Sequence, residues 1–326
     1  MSVRARVVAA ALCLWPRISD ASSSVWERAR DPGRLREDRI NTGVEQLLVK
    51  HRLARRDLLA SEAVLLAFRK ARRLLEATDA AGSRNPITQF RLAQVRDELG
   101  DSSGAMSLFD AVAHNENAAP THRAEAAAEL AMCHAKLGHH AAEIDAYALA
   151  LALEPQAMTR SNILSNQAEA WMALGNLDAA VAGYRAALAS TTTFGMFRSG
   201  VTALWGLAVA LDRSGDVGGA LSSIDLARAY DPADVQLHSP SWFFQPPHEE
   251  AYYAALGHWA RARNAAGAEC DAFYRAAIQA WREYIERAPA SDPWRDIAKA
   301  RWTKCEAEHV ARMRAEGPKK RGADVR

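Results

Sequence analysis

The chain has 326 residues, of which 49% are hydrophobic and 25% are charged, with 4 cysteines and a formal net charge of +2. This composition excludes a chain disordered throughout, a collagen-like protein and a disulfide scaffold, and so small a net charge gives no argument for a nucleic-acid partner. Alanine contributes 69 residues, which favours helices because alanine has the highest helix propensity.

Residues 1–23 have the layout of a secretory signal peptide. Two arginines precede an unbroken apolar run from Val7 to Trp15, and Pro16 and small polar residues follow. The run is too short to span a bilayer as a helix. We therefore expect export from a bacterial cell, to the periplasm or beyond, with cleavage near Ala21. The alternative is a cytoplasmic protein whose first helix packs on the domain.

Residues 24–85 predict an N-terminal helical segment. Apolar residues favour helices over Val44–Arg55 and Ser61–Leu75, which would form a divergent hairpin. Between Trp26 and Arg73, 13 basic residues stand against 7 acidic ones. Because the acidic residues are interspersed, a solvated helix surface is the preferred interpretation, and a patch for an acidic partner or anionic lipid is the alternative.

A repeated pattern occupies residues 86–232. Four glycines recur at spacings of 38, 37 and 40 residues: Gly100, Gly138, Gly175 and Gly215. Alanine stands seven residues before each glycine, and an aromatic residue or isoleucine stands nine after it: Ala93, Ala131, Ala168, Ala208, Phe109, Tyr147, Tyr184 and Ile224. Small residues let two helices approach closely, and glycine accepts the positive φ of a turn. The pattern therefore predicts four helical hairpins.

These units resemble the tetratricopeptide repeat (TPR) family. The unit from Ala124 to Pro155 matches the family's arrangement best, whereas Glu143, Gln167 and Ile224 depart from its usual residues. The resemblance implies an all-α fold, a right-handed solenoid in which each hairpin buries its apolar face against the next. It also implies a protein that binds other proteins and is not an enzyme.

The resemblance implies a partner site as well. In such solenoids the first helix of each hairpin lines a concave groove, where a peptide or helix of a partner would bind. The predicted groove residues are Gln94, Asp97, Met132, Lys136, Asn162, Asn166, Glu169, Trp205 and Asp212. The alternative for Trp205 is packing against the neighbouring hairpin. Because Ser165 and Glu169 replace the Lys and Asn of the family's clamp for acidic C-termini, binding of chaperone tails is not expected.

The region after the repeats contains a loop over residues 233–247. Prolines exclude a regular helix there, and the loop carries the apolar triplet Trp242, Phe243 and Phe244. We expect the triplet to pack into the groove or against the last hairpin; if exposed, it would be a partner-binding patch.

Residues 248–313 predict a degenerate repeat and a capping helix. The hairpin is expected to be longer than the others around Ala265–Cys270. A helix over Pro293–Met313 would then cover the last open hydrophobic face, which a solenoid requires. Residues 314–326 are polar and basic and are expected to be disordered.

Catalytic motifs are missing from the sequence. No phosphate loop, nucleophile elbow or dinucleotide fingerprint occurs, so we expect no catalytic residue, no cofactor and no metal. A metal-dependent enzyme using Cys133, His134, His139 and His140 is the weakest alternative, because no second cluster completes a coordination shell. A self-associating structural solenoid is another alternative.

The cysteines give no disulfide framework. If a signal peptide is removed, Cys133, Cys270 and Cys305 remain, an odd number. We expect buried thiols that pack as small hydrophobic residues. Pairing of Cys270 with Cys305 in an oxidising compartment is the alternative.

Overall fold

The computed structural model describes residues 31–54, 62–153, 157–191, 197–238, 244 and 246–316. Within these ranges the chain forms thirteen α-helices and no strand. The predicted all-α fold class is confirmed. The signal peptide, Trp242, Phe243 and residues 317–326 lie outside the described residues.

The helices are arranged along the chain as hairpins. Two N-terminal helices precede four hairpins at the predicted repeats, a fifth, longer hairpin and a single final helix. In chain order they are α1 (Pro32–Ala54), α2 (Glu62–Ala80), α3 (Pro86–Glu98), α4 (Ser102–Ala113), α5 (Pro120–Lys136), α6 (His140–Ala152), α7 (Ala157–Ala173), α8 (Leu177–Ser190), α9 (Phe197–Arg213), α10 (Val217–Tyr230), α11 (Glu249–Asn264), α12 (Gly267–Arg287) and α13 (Arg295–Glu316).

The ends of the molecule differ from the sequence-based boundaries. Helix α1 begins at Pro32, well before the predicted Val44, because Asp31 accepts hydrogen bonds from the first backbone N–H groups and proline stands at the first helical position. The extra length of the fifth hairpin lies mainly in α12, with 21 residues, and not in the turn. Helix α13 continues to Glu316, so the first residues of the predicted disordered tail are helical.

The four repeat glycines make the turns between paired helices. Their φ angles lie between 72° and 97°, in the left-handed region that favours glycine. A Cβ atom added at any of the four would meet nothing within 4 Å. The backbone conformation, and not space, is therefore what requires glycine there.

Close helix contacts fall on the predicted small residues. The alanines seven residues before the turn glycines are all fully buried: Ala93, Ala131, Ala168 and Ala208. The large residue nine after each glycine is also buried, with at most 2% exposed. Gly206 shows the same requirement, because a Cβ there would stand 2.3 Å from the Tyr184 ring.

The residue after the turn glycine caps the next helix in three of the four repeats. Asp101, Asn176 and Asp216 each accept a hydrogen bond from a backbone N–H in the first turn of that helix, at 2.9, 3.2 and 2.8 Å. In the remaining repeat His139 has a similar backbone conformation but makes no such bond. An Asp or Asn directly after the glycine is therefore a further sequence signal for these hairpins.

The hydrophobic core is divided into three clusters along the chain. One joins α1, α2 and α3, the second runs from α3 to α7, and the third and largest runs from α7 to α13. Each helix packs mainly on its neighbours in sequence. The fold is thus a TPR-like solenoid whose largest core lies at the C-terminal end.

Candidate functional site

The inner face of the solenoid is formed by the first helix of each hairpin. Among the described residues, α3 contacts α5, α7 contacts α9, and α9 contacts α11, whereas second helices make no comparable contact with one another. The first helices therefore lie on the shorter, concave side. All nine predicted groove residues belong to α3, α5, α7 and α9.

At its N-terminal end the inner face is tied by polar contacts within and between repeats. The Lys136 Nζ atom lies 2.5 Å from the Asp97 Oδ2 atom, which joins α5 to α3. Gln94 is buried and accepts a hydrogen bond from Arg91 at 2.8 Å. These predicted groove residues have partners within the protein, so a ligand would have to compete for them.

The middle of the inner face keeps its contact with water. Asn162 is exposed, and Met132, Asn166 and Glu169 are half-buried. The Asn162 Oδ1 atom accepts a hydrogen bond from Ser199 at 2.7 Å, which links α7 to α9. We call Met132, Asn162, Asn166 and Glu169 the open row; the structure brings these four predicted residues to α5 and α7 at the centre of the solenoid.

Glu169 has an unusual electrostatic environment. Burial, together with repulsion from the Glu143 and Glu249 carboxylates, raises the pKa of Glu169 to about 8, although Arg213 opposes the shift. At pH 7 its carboxyl group is therefore mostly protonated. A neutral carboxyl group both donates and accepts hydrogen bonds, as do the side-chain amides of Asn162 and Asn166. The open row thus offers uncharged hydrogen-bonding groups beside the Met132 side chain.

The C-terminal end of the inner face is closed. Asp212, a predicted groove residue, is fully buried and accepts hydrogen bonds from Tyr252 Oη and Arg301 Nε, each at 2.7 Å. Arg301 also donates to the Asp212 backbone carbonyl at 2.9 Å. These hydrogen bonds join α11 and α13 to the C-terminal end of α9. Asp212 is therefore not accessible to a partner.

Trp205 is also buried rather than facing the groove, with 1% exposed. Its ring packs beside Gly257 of α11 and under the Arg228 guanidinium group, at 5.3 Å from the ring centre. The alternative interpretation, packing against the neighbouring hairpin, describes this position. Phe244, the one residue of the triplet that the structure describes, is half-buried against Tyr253 of α11, with ring centres 5.2 Å apart.

Arg213 forms an enclosed ion pair in this end of the molecule. It donates to the Glu249 Oε2 atom at 2.5 Å, and its guanidinium group lies between the rings of Tyr252 and Trp294, at 4.6 and 4.7 Å. Sequence reasoning missed Arg213. With 34 arginines in the chain, no local signal distinguishes the buried residues, Arg213 and Arg91, from the exposed ones.

The suggested Cys-His cluster is not assembled as a metal site within the described residues. Cys133 is fully buried, and burial raises the pKa of its thiol to about 12. His140 bonds to Glu143 at 3.0 Å, and the rings of His134 and His139 are 5.7 Å apart. These residues do not group with a third potential ligand. The predicted buried thiols are confirmed, since Cys133, Cys270 and Cys305 form no disulfide.

Comparison with known proteins gives likenesses among solved structures only. No family model and no curated protein matches the chain. MamA is 18% identical over 52% of this chain and 91% of its own, with a TM-score of 0.44. BtubC from P. vanneervenii is 15% identical over 82% and 98%, with a TM-score of 0.44.

A tetratricopeptide repeat protein from Parabacteroides merdae is 12% identical over 79% of this chain and 98% of its own, with a TM-score of 0.45. Identities this low say nothing about shared ligands. Within the described residues, no helix is both long and apolar enough to cross a membrane.

Proposed function

We propose that the protein is a non-enzymatic scaffold that binds an extended peptide or a helix of a partner protein on its inner face. The observation that carries this proposal is the open row. Its four side chains remain in contact with water on α5 and α7, whereas Gln94, Trp205 and Asp212, the predicted groove residues nearer the two ends, are buried.

The chemistry of the open row suits a peptide. The backbone of an extended peptide presents alternating N–H and C=O groups, which Asn162, Asn166 and a protonated Glu169 can satisfy. Met132 supplies an adaptable apolar contact. Since the high pKa of Cys133 keeps its thiol protonated, the conditions for a nucleophilic cysteine are not met near this surface.

Affinity capture from the native host tests the proposal. The wild-type chain, Asn162→Arg in the open row and Asp178→Arg at an exposed position of α8 are used side by side. We expect the wild-type and Asp178→Arg proteins to capture the same partner and Asn162→Arg to lose it. Identical capture by all three proteins would contradict binding at the open row.

Export is the second part of the proposal. It is supported by the basic, apolar and small-residue order of residues 1–23. The protein acts in this view in a periplasmic, secreted or envelope-associated assembly. N-terminal sequencing of the mature protein should give a start near residue 22, and a start at Met1 or Ser2 would show that no cleavage occurs.

Self-association is the competing function, and one observation favours it. Leu137 and Leu174, each directly before a turn glycine, are 40% and 50% exposed in successive repeats. Together they place apolar surface along one edge of the solenoid. Light scattering over a range of concentrations decides between the two: a strict monomer removes this candidate, and a dimer lost in Leu174→Gln supports it.

A further inference from the structure

A cluster of polar side chains lies beside the Arg213 ion pair, at the junction of the fifth hairpin with the capping helix. It consists of His248, directly before α11, Glu249, the first residue of α11, and Asp292, in the loop between α12 and α13. One nitrogen or oxygen atom from each residue lies within 4.8 Å of the other two. His248 and Glu249 are 7% and 8% exposed, and the Asp292 side chain is 6% exposed.

Both carboxylates are held by hydrogen-bond donors, and the second oxygen of Asp292 faces His248. Asp292 Oδ1 accepts hydrogen bonds from the Trp294 backbone N–H at 2.8 Å and from Tyr284 Oη at 3.0 Å. Glu249 Oε2 accepts from Arg213 at 2.5 Å. Metal-binding carboxylates are typically hydrogen-bonded to donors of this kind, which orient them.

The histidine completes a mixed set of ligands. His248 Nε2 lies 2.8 Å from Asp292 Oδ2, and its ring packs edge-on against Tyr284 with centres 5.3 Å apart. Around a four-coordinate ion with bonds of about 2.1 Å, the ligand atoms stand about 3.4 Å apart. The observed spacings, 2.8 Å between His248 Nε2 and Asp292 Oδ2 and at most 4.8 Å within the group, lie on either side of this value.

We infer that His248, Glu249 and Asp292 form a binding site for one divalent metal ion of the zinc or manganese class. One imidazole and two carboxylates suit these ions, with water completing the coordination. With the His248 ring neutral, the charges of the two carboxylates and of Arg213 sum to −1, which favours binding of a cation. On binding, the His248 Nε2 atom must carry no proton, so the neutral ring bears its proton on Nδ1 instead.

The position of the site predicts how a bound ion would affect the fold. It would join the start of α11 to the loop before α13, where Arg213 of α9 and Trp294 already meet. Because an ion that binds only the folded chain stabilises it, metal would strengthen the attachment of the capping helix. The site is distinct from the open row, and this inference does not depend on the proposed partner.

Calorimetric titration of the full chain, after dialysis against a chelator, tests the inference. Zn²⁺ and Mn²⁺ are the probes, and the variants are His248→Gln, Asp292→Asn and His114→Ala. His114 is a matched control, because it forms an exposed pair with Asp110 at 3.2 Å. We expect the wild-type and His114→Ala proteins to bind one ion per chain and, in thermal melts, to have a higher melting temperature with the metal than without it. Binding to His248→Gln and Asp292→Asn should be at least about tenfold weaker.

Two outcomes would overturn the site. One is no uptake of either ion by the wild-type protein; the other is unchanged affinity in both His248→Gln and Asp292→Asn. If these variants do not fold, the X-ray absorption spectrum of the zinc-loaded wild-type protein tests the site by identifying the atoms bound to the zinc. A shell of nitrogen and oxygen with one imidazole supports the site, and a sulfur ligand, which would come from a cysteine, contradicts it.

Discussion

The same position of the repeat has different surroundings at the two ends of the inner face. Asp97 and Asp212 both stand three residues before a turn glycine. Asp97 pairs with Lys136, whose side chain is 35% exposed, whereas Asp212 is fully buried beneath Arg301 of the capping helix. The position of a residue within the repeat therefore predicts that its side chain lies on the inner face, but not whether that side chain is accessible to water or to a partner.

The difference arises from the helices that lie C-terminal to each slot. Each of the three hairpins formed by α3 to α8 is followed by another repeat of similar size. Inner residues of these hairpins bond to the next repeat, and the inner face at the centre keeps its contact with water. The α9–α10 hairpin is succeeded by a longer hairpin and by α13, which bring tyrosines, Trp294 and Arg301 over the end of α9. The closed end provides stability, and the open row provides the candidate binding surface.

Substitution of the two aspartates should have the largest effect and separate the ends most clearly. Asp212→Ala leaves the enclosed Arg301 and Tyr252 groups without their acceptor, which we expect to cost about 3 kcal/mol of unfolding free energy. Asp97→Ala removes a partly exposed pair and should cost about 1 kcal/mol. Denaturant unfolding of both variants measures the contrast; equal losses would mean that the ends do not differ.

The packing at the closed end can be tested at Ala208. The residue is fully buried at a close helix contact, so Ala208→Leu should overpack the core and cost about 1–3 kcal/mol. Ala182→Leu, at an exposed position of α8, is the matched control and should leave the melting temperature nearly unchanged. Wild-type stability in Ala208→Leu would contradict the helix register.

The pH dependence of stability should report on Glu169. Its folded-state pKa of about 8 lies above the ordinary value of 4.5, so its protonated form stabilises the fold at low pH. That contribution is lost as the pH rises from about 4.5 through 8. Since the side chain keeps some contact with water, we expect Glu169→Gln to exceed the wild type by about 1–2 kcal/mol at pH 9.

The control for this pH effect is Glu116→Gln, at an exposed position in the turn before α5. Its stability should track the wild-type pH curve. Glu169→Gln should instead converge with the wild type near pH 5, and a constant difference at all pH values would show that packing, and not ionisation, causes it.

The smallest expected effect is a gain at the one uncapped repeat. His139 shares the backbone conformation of the capping residues Asp101 and Asp216 but makes no side-chain cap. His139→Asp should therefore add about 0.5–1 kcal/mol to the unfolding free energy. A melting temperature at or below that of the wild type would show that the local turn differs from those in the other repeats.

The repeat positions could be predicted from sequence because they depend on local requirements. Gly138 needs a positive φ and Ala131 a close helix contact, and both recur in phase with the other units. The closure of the inner face could not be predicted, because Asp212 meets Arg301 across 89 residues and no local pattern links them. For the same reason sequence analysis missed Arg213 and the grouping of His248 with Asp292.

Photocrosslinking tests the central claim most directly. A photoreactive phenylalanine analogue is placed at Asn166 in the open row or at Asp178 on the outer surface of α8, and each protein is irradiated in its native host. Binding on the inner face predicts a crosslinked partner from residue 166 and none from residue 178. A partner crosslinked from residue 178 alone, or equally from both, would contradict binding on the inner face.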